Sequence, residues 1–297
     1  MNDSRAPVVL GFDPRARAID TLAAALALAR ARGVGVHLVH AIDYPESMWT
    51  GLSTEWAGAA RTDLTRQAEH AVEAELQRAF GTLGAERPRD FTREIVLGHP
   101  ARAIAAACER TAASLVVVGP HHKDHALDLG SVPRALLAQG PAGVWVQRGP
   151  WRDPTRVLVP VDLSPLSLTA LATARDLVRP YDGELSVLHC FVRPDFFPDP
   201  APSETTTYPT YVVEDVQRRD EAEFRELENT FDWRGVRRRL EFVEGVPAQE
   251  TLARETEVDA IAVGTHGRTG LARFILGNVA AAILARATGS VLGVRPD

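Results

Sequence analysis

Residues 264–278 read Gly-Thr-His-Gly-Arg-Thr-Gly-Leu-Ala-Arg-Phe-Ile-Leu-Gly-Asn, and their chemistry is that of an anion cradle. An apolar, strand-like run at 258–263 leads into them, and a helix-like run opening at Val279 follows. Gly264, Gly267 and Gly277 let the backbone approach a ligand closely or adopt positive φ. A helix start at Asn278 and Val279 then offers N–H groups and a favourable dipole to a phosphate. His266, Arg268 and Arg273 lie in this stretch, and residues 264–280 contain no Asp or Glu to repel an anion. Gly267 also reads as a plain turn glycine. His266 reads as a loop residue near phosphate before it reads as a base, and Arg268 as a phosphate partner or a solvated side chain.

A carboxylate stands at a second strand end. Asp162 closes the apolar run 157–161 and precedes Leu163-Ser164-Pro165, a helix start. It reads either as a helix-capping carboxylate or as an acceptor for a ligand's donor groups. Other signals are absent. No G-x-x-x-x-G-K-[ST] occurs, and Gly33-Val-Gly35 lacks the third glycine of a dinucleotide fingerprint. There is no G-x-S-x-G elbow, no C-x-x-C, and no carboxylate couple for acid–base work, so at most slow catalysis is expected. His121, His122 and His125, with Asp124 and Asp128, are zinc-capable types. Their spacing matches no strong motif, and a solvated loop is the simpler reading.

The elements that must position these residues occur twice. Val8-Val-Leu-Gly-Phe-Asp13 aligns with Val157-Leu-Val-Pro-Val-Asp162, Gly98-His-Pro100 with Gly245-Val-Pro247, Gly119 with Gly264, and Gly130-Ser131 with Gly277-Asn278. The segment from Gly119 to Gly130 is two residues shorter than its counterpart from Gly264 to Gly277. It also carries His122 where the second glycine belongs, with Asp124 and Asp128 beside it, so weak or no nucleotide binding is expected in the first half. Strands are expected near 7–13, 35–42, 91–97, 114–119 and 143–147, then near 156–162, 184–191, 237–243, 258–264 and 290–295. Helices are expected near 16–32, 54–82, 101–112 and 131–139, then near 166–178, 212–229, 247–256 and 278–287. Such alternation, with near-continuous Val/Ile/Leu strands, predicts an α/β fold of parallel sheet covered by helices on both faces. Two tandem domains, 1–148 and 156–297, are expected around a short Pro-containing linker at 149–155. The Pro-rich segment 193–209 reads as a surface loop or as a lid.

The pattern Gly264-x2-Gly267-x9-Gly277 resembles the G-x2-G-x9-G-(S/T) signature of ATP-binding universal stress proteins, with Asn278 in place of the final hydroxyl residue. The resemblance implies two doubly wound, five-stranded, Rossmann-like parallel sheets of strand order 3-2-1-4-5. It also implies a crevice between the ends of the first and fourth strands of the second half. There Pro160, Val161 and Asp162 would meet adenine and ribose, and Val263 and Cys190 would pack on the nucleoside. Gly264, His266, Gly267, Arg268, Gly277, Asn278 and Val279 would surround the phosphates. ATP or another adenine nucleotide, with Mg2+, is the implied ligand, in a cytoplasmic stress-response regulator. A nucleotide-free interaction or metal-binding scaffold, or a slow phosphoryl- or adenylyl-transferring enzyme, is the alternative. The last strand of each half would lie at a sheet edge, where the halves would form an intrachain pseudo-dimer and two chains a homodimer.

Bulk properties bound the remaining classes. The chain has 297 residues, 45% of them hydrophobic, and a formal net charge of −6. That balance argues against nucleic acid or an anionic membrane as the main partner, and Arg237-Arg238-Arg239 reads as a solvated strand edge. No membrane span or signal-peptide core is expected. Cys108 and Cys190 are expected as free thiols of a reducing compartment.

Overall fold

Ten apolar segments pair into one sheet. The computed structural model describes residues 6–14, 18–43, 54–120, 130–193, 210–265 and 276–295. The first half runs β1 (Val8–Gly11), α1 (Ala18–Arg32), β2 (Val36–Ile42), α2 (Thr54–Leu83), β3 (Phe91–Leu97), α3 (Pro100–Thr111), β4 (Leu115–Val118), α4 (Ser131–Gln139) and β5 (Gly143–Val146). The second repeats it as β6 (Arg156–Val161), α5 (Pro165–Val178), β7 (Glu184–Phe191), α6 (Thr210–Thr230), β8 (Arg237–Glu244), α7 (Pro247–Ala253), β9 (Ala260–Gly264), α8 (Asn278–Arg286) and β10 (Ser290–Val294). The expected helix at 247–256 ends earlier, at Ala253, and a 3-10 turn follows at Glu255–Glu257.

The strand order is β3-β2-β1-β4-β5-β10-β9-β6-β7-β8. Each half therefore has the order 3-2-1-4-5, and its neighbours pair in parallel. Strands buried on both faces need apolar residues at successive positions. Val8, Leu10 and Phe12 enter one core with Leu22, Leu76, Ala170 and Phe224, so α1, α2, α5 and α6 cover that face. Val9 enters the other with Ile104, Leu137, Ala248 and Leu284, beneath α3, α4, α7 and α8. Each core runs across both halves.

The halves meet where β5 and β10 pair antiparallel, with Val146 opposite Val291, Trp145 opposite Leu292 and Val144 opposite Gly293. A Cβ on Gly293 would stand 2.2 Å from Leu137 Cδ2, so a side chain there would have to turn the tip of this α4 leucine aside. Two arginines close the seam with pseudo-twofold symmetry. Arg148 donates to the carbonyls of Leu284 (2.6 Å) and Ala287 at the end of α8. Arg295 donates to the carbonyl of Leu137 (2.6 Å) in α4. Cations suit these sites because the last carbonyls of a helix lack intrahelical partners. The outer strands β3 and β8 carry charge, which guards an open edge. On β8, Arg237 and Arg239 are exposed, while Arg238 lies over the Trp233 ring at 5.0 Å.

Among the described residues, no helix is long and apolar enough to cross a membrane. Both cysteines are free thiols, Cys108 buried and Cys190 half-buried.

Candidate functional site

Pro160 stands on β6 beside the crevice expected where the strand order of the second half reverses. Thr155 gives its carbonyl to Glu184 at the head of β7, and Arg156 gives its carbonyl to Asp259 at the head of β9. Alternate residues of β6 thus address alternate neighbours, and residue 160 would turn its N–H toward β9. Proline has none. The ladder between β6 and β9 stops at Leu158 opposite Ile261, although β6 continues beside β7 as far as Val161 opposite His189. In the first half Gly11 occupies the place of Pro160, keeps its N–H, and pairs with Val118.

Asp162 lies at the mouth of that crevice, and its Oδ1 accepts from Ser164 N (3.0 Å) and Ser164 Oγ (2.5 Å). Ser164 Oγ in turn accepts from Ser167 N and caps α5 (3.3 Å). Between them Leu163 takes φ 63°, an unusual angle for a branched side chain. The capping reading of Asp162 is therefore part of the structure: one carboxylate oxygen fixes the turn that aims the group.

The carbonyl just before Asp162 is held too. His189 Nδ1 lies 2.8 Å from Val161 O, and its Nε2 lies 2.8 Å from Asp220 Oδ2 on α6. A carbonyl oxygen only accepts, so Nδ1 carries a proton. The buried ring stacks against both Phe224 (5.3 Å) and Phe242 (5.6 Å), which also touch each other (6.3 Å). The first half repeats the bond, with His40 Nδ1 at 2.8 Å from Phe12 O. Motif reading passed over these two histidines, yet the repeat could have found them, because His40 aligns with His189 in the same register as Asp13 with Asp162.

Across the crevice, β9 ends at Gly264, which pairs with Val294. A Cβ here would meet Leu166 Cγ at 3.2 Å and Leu166 O at 3.3 Å, so this glycine serves close approach to the start of α5. Thr265 is fully buried. Its N–H donates to Val294 O (2.9 Å), and its carbonyl accepts from Gly277 N (2.7 Å). That second bond sets the N-terminus of α8 at the end of β9. Gly277 is the N-cap with φ −58°, so neither Gly264 nor Gly277 uses the left-handed region that the sequence pattern suggested. The first intrahelical bond runs from Ala281 N to Gly277 O (2.8 Å), and the amides of Asn278, Val279 and Ala280 precede it. Asn278 and Val279 are exposed. His266, Gly267 and Arg268 lie outside the described residues.

Val263 is buried against the core that holds Ala280, Ile283 and Leu284, next to the crevice. Cys190 packs at the margin of the same core. Burial first, then the nearby Glu250 carboxylate, pushes its thiol up to about 12, so it is a small apolar wall and not a nucleophile. Among the described residues, the structure thus gathers Pro160, Val161, Asp162, Val263, Gly264, Gly277, Asn278 and Val279 at one end of two neighbouring strands. Cys190 lies one strand further out.

In the first half, Gly130 caps α4 with φ 81°. The third residue of α4 is Pro133, where Ala280 stands in α8, so one of the leading amides is missing there. The loop with His121, His122, Asp124, His125 and Asp128, and the proposed lid beyond residue 193, lie outside the described residues. No cluster of potential metal ligands occurs among the residues described.

Comparison with known proteins agrees with this architecture. Residues 5–148 and 154–295 each match the model of the universal stress protein family. The chain is 31% identical over 142 residues to Universal stress protein MJ0531 of Methanocaldococcus jannaschii, covering 47% of this chain and 81% of that one. It is 30% identical over 146 residues to Universal stress protein YxiE of Bacillus subtilis, covering 47% and 98%. A solved universal stress protein from Archaeoglobus fulgidus shares the fold over 98% of this chain and 97% of its own, at TM-score 0.62 and 18% identity. A putative universal stress protein from Pseudomonas aeruginosa does so over 99% and 95%, at TM-score 0.61 and 17% identity.

Proposed function

The chain belongs to the universal stress protein family, and from that premise we propose that it is a stress-response regulator that binds an adenine nucleotide in its second half. The observation that carries the reading is the bond from Gly277 N to Thr265 O. It brings a helix N-terminus to the strand end that faces Asp162 across the gap at Pro160. A nucleoside in that gap would rest on Val263 and Pro160, with its hydroxyl donors toward Asp162. Its phosphates would extend to the amides of Asn278 and Val279 and to His266, Gly267 and Arg268 in the connecting segment, with Mg2+ offsetting their charge. Asn278 keeps a donor where a hydroxyl would stand in the family signature. Any hydrolysis at this site is proposed to be slow and incidental to binding. The two nucleotide-type domains are assigned to residues 1–148 and 156–297.

The test is calorimetric titration of ATP and AMP with magnesium into the wild-type chain and Gly267→Asp. One equivalent of ATP should bind wild type. The variant, with a carboxylate placed against the phosphates, should lose at least about tenfold in affinity, some 1.4 kcal/mol, with an unchanged melting temperature. Equal affinity in the two proteins would overturn the cradle.

A further inference from the structure

His189 presents both ring nitrogens to acceptors, the Val161 carbonyl at Nδ1 and Asp220 Oδ2 at Nε2, each at 2.8 Å. A neutral imidazole has one N–H, and the carbonyl takes it. The contact with Asp220 therefore needs one further proton, carried on Nε2 or on the carboxyl. Few other charges face the ring. Leu185 and Val187, which share its face of β7, are apolar. Its neighbour on β8 is Phe242, beyond which Glu244 faces Arg193 at 3.4 Å. On β6 it meets Val161, and the next residue, Asp162, is held by Ser164. No charged residue occurs in α5 from Pro165 to Ala174. On α6, Glu221 pairs with Arg225 and Glu223 is exposed. Asp220 is thus the carboxylate on the ring.

The start of α6 depends on this contact. Of residues 211–220, Val213 alone is buried, while Tyr211 and Val216 are exposed. The helix is anchored in the core only further on, by Phe224 and Leu227. The first half lacks the device. There the buried residues Val72, Leu76 and Ala79 of α2 have the spacing of Asp220, Phe224 and Leu227, which puts a valine in the place of the aspartate. A neutral His40 with its proton on Nδ1 meets the Phe12 carbonyl without a second proton.

We propose that the proton shared by His189 and Asp220 is a pH-operated latch that holds the first half of α6 to β7. At low pH the proton is present and the latch is closed. As pH rises the proton passes to solvent, and a lone pair on Nε2 then faces a carboxylate oxygen. The Asp220 side yields, because its side chain is 18% exposed and can turn to water, whereas the His189 side chain is 5% exposed and keeps its bond to Val161. The residues ahead of Asp220 then lose a hold that α2 never relies on.

The experiment follows the full-length chain from about pH 5 to about pH 9, across the range in which imidazoles ordinarily change charge. Nuclear magnetic resonance reads the ring nitrogens of His189 and the carboxyl carbon of Asp220. Amide hydrogen exchange, expressed as protection so that the chemical rate is removed, reads residues 213–220 and, as an internal control, the turn of α2 around Val72. One proton should leave the pair, and protection at 213–220 should fall by about tenfold in the same step, as for loss of a hydrogen bond to a charged group, with α2 unchanged. Asp220→Asn should remove the step, since its amide donates to a neutral Nε2 at every pH. Retention of the proton throughout, α6 protection that does not follow its loss, or an equal fall in α2 would each overturn the latch, and these wild-type readings decide it even where the variant does not fold. A step that persists in folded Asp220→Asn would overturn it as well.

Discussion

His40 and His189 make the same bond in the two halves: each places Nδ1 2.8 Å from the carbonyl of the residue preceding the strand-end aspartate, Phe12 in one case and Val161 in the other. That carbonyl is the last of a central strand, at the point where the neighbouring strands diverge and backbone partners run out. An imidazole from the adjacent strand satisfies it and so sets the direction in which the aspartate leaves the sheet. The halves differ in the next link, since His189 also faces Asp220 from a fully packed position.

His189→Phe should therefore cost more than His40→Phe. The first leaves both the Val161 carbonyl and the partly buried Asp220 carboxylate without a donor, at about 3 kcal/mol; the second orphans one carbonyl, at about 1 kcal/mol. Urea unfolding midpoints give the comparison. Equal losses would mean that Asp220 adds nothing to the bond.

Pro160→Ala restores an N–H aimed at β9 and should let the ladder extend toward Val263. One added hydrogen bond is worth about 1 kcal/mol, or about fivefold in an equilibrium. Thermal stability should rise while ATP affinity falls by about that factor. Movement of both in the same direction would show that the gap does not depend on the missing amide.

At the seam, Arg148→Ala removes donors from two carbonyls at the end of α8, and Arg295→Ala removes one from α4. Charge-assisted bonds contribute about 1.5–3 kcal/mol each. Among the described residues the buried Nε of Arg148 has no partner, which lowers the net worth of the side chain to about 2 kcal/mol. Chemical denaturation should show a larger loss for Arg148→Ala than for Arg295→Ala. A second, earlier transition in the double variant would show that the halves then unfold separately.

Alkaline pH should destabilise the fold through its thiols. Burial pushes both Cys108 and Cys190 up to about 12. The folded chain therefore keeps protons that the unfolded chain, with ordinary thiols near 8.5, releases. With fewer protons bound in the unfolded state, stability falls as pH rises from about 9 toward 12. The Cys108→Ala, Cys190→Ala double variant should flatten that fall in unfolding measured at stepped pH. Neither native thiol should react with a disulfide reagent at mildly alkaline pH until the chain unfolds.

The bond between Arg254 and Glu241 makes stability depend on pH at the opposite end of the scale. It holds the Glu241 carboxyl below its usual range. The contribution is present above the ordinary carboxylate range and is lost as pH falls through the folded value. Glu241→Gln should lower stability at neutral pH by about 0.5–1 kcal/mol, as for a half-buried pair still screened by solvent, and leave acid stability unchanged.

Much of this was legible before any coordinates. Apolar runs of strand length, helix starts such as Ser164-Pro165, and glycines after strands are properties of a few neighbouring residues, and local sterics decide them. The repeat carries the same information twice, so alignment of the halves placed Asp13 with Asp162 and Gly130 with Gly277 without reference to a fold. The family resemblance added the strand order, and with it the expectation that Asp162 and Gly264 share a crevice.

Tertiary structure decided what depends on a partner distant in the chain. Whether the missing amide of Pro160 matters depends on which neighbour it would address, and that is set by ladder parity relative to Thr155 and Arg156. Gly264 looked like a residue needed for backbone freedom, but it is the approach of Leu166 that leaves little room for a side chain there. Arg148 read only as the last residue of the first domain, and only the antiparallel pairing of β5 with β10 turns it onto the open carbonyls of α8. The sequence by itself determined the elements and their repetition, because those follow from short-range sterics and hydrophobic pattern. The seam, the gap at Pro160 and the pairing of His189 with Asp220 arise from hydrogen bonds and packing between segments far apart in the chain, whose energies exist only once both partners are in place.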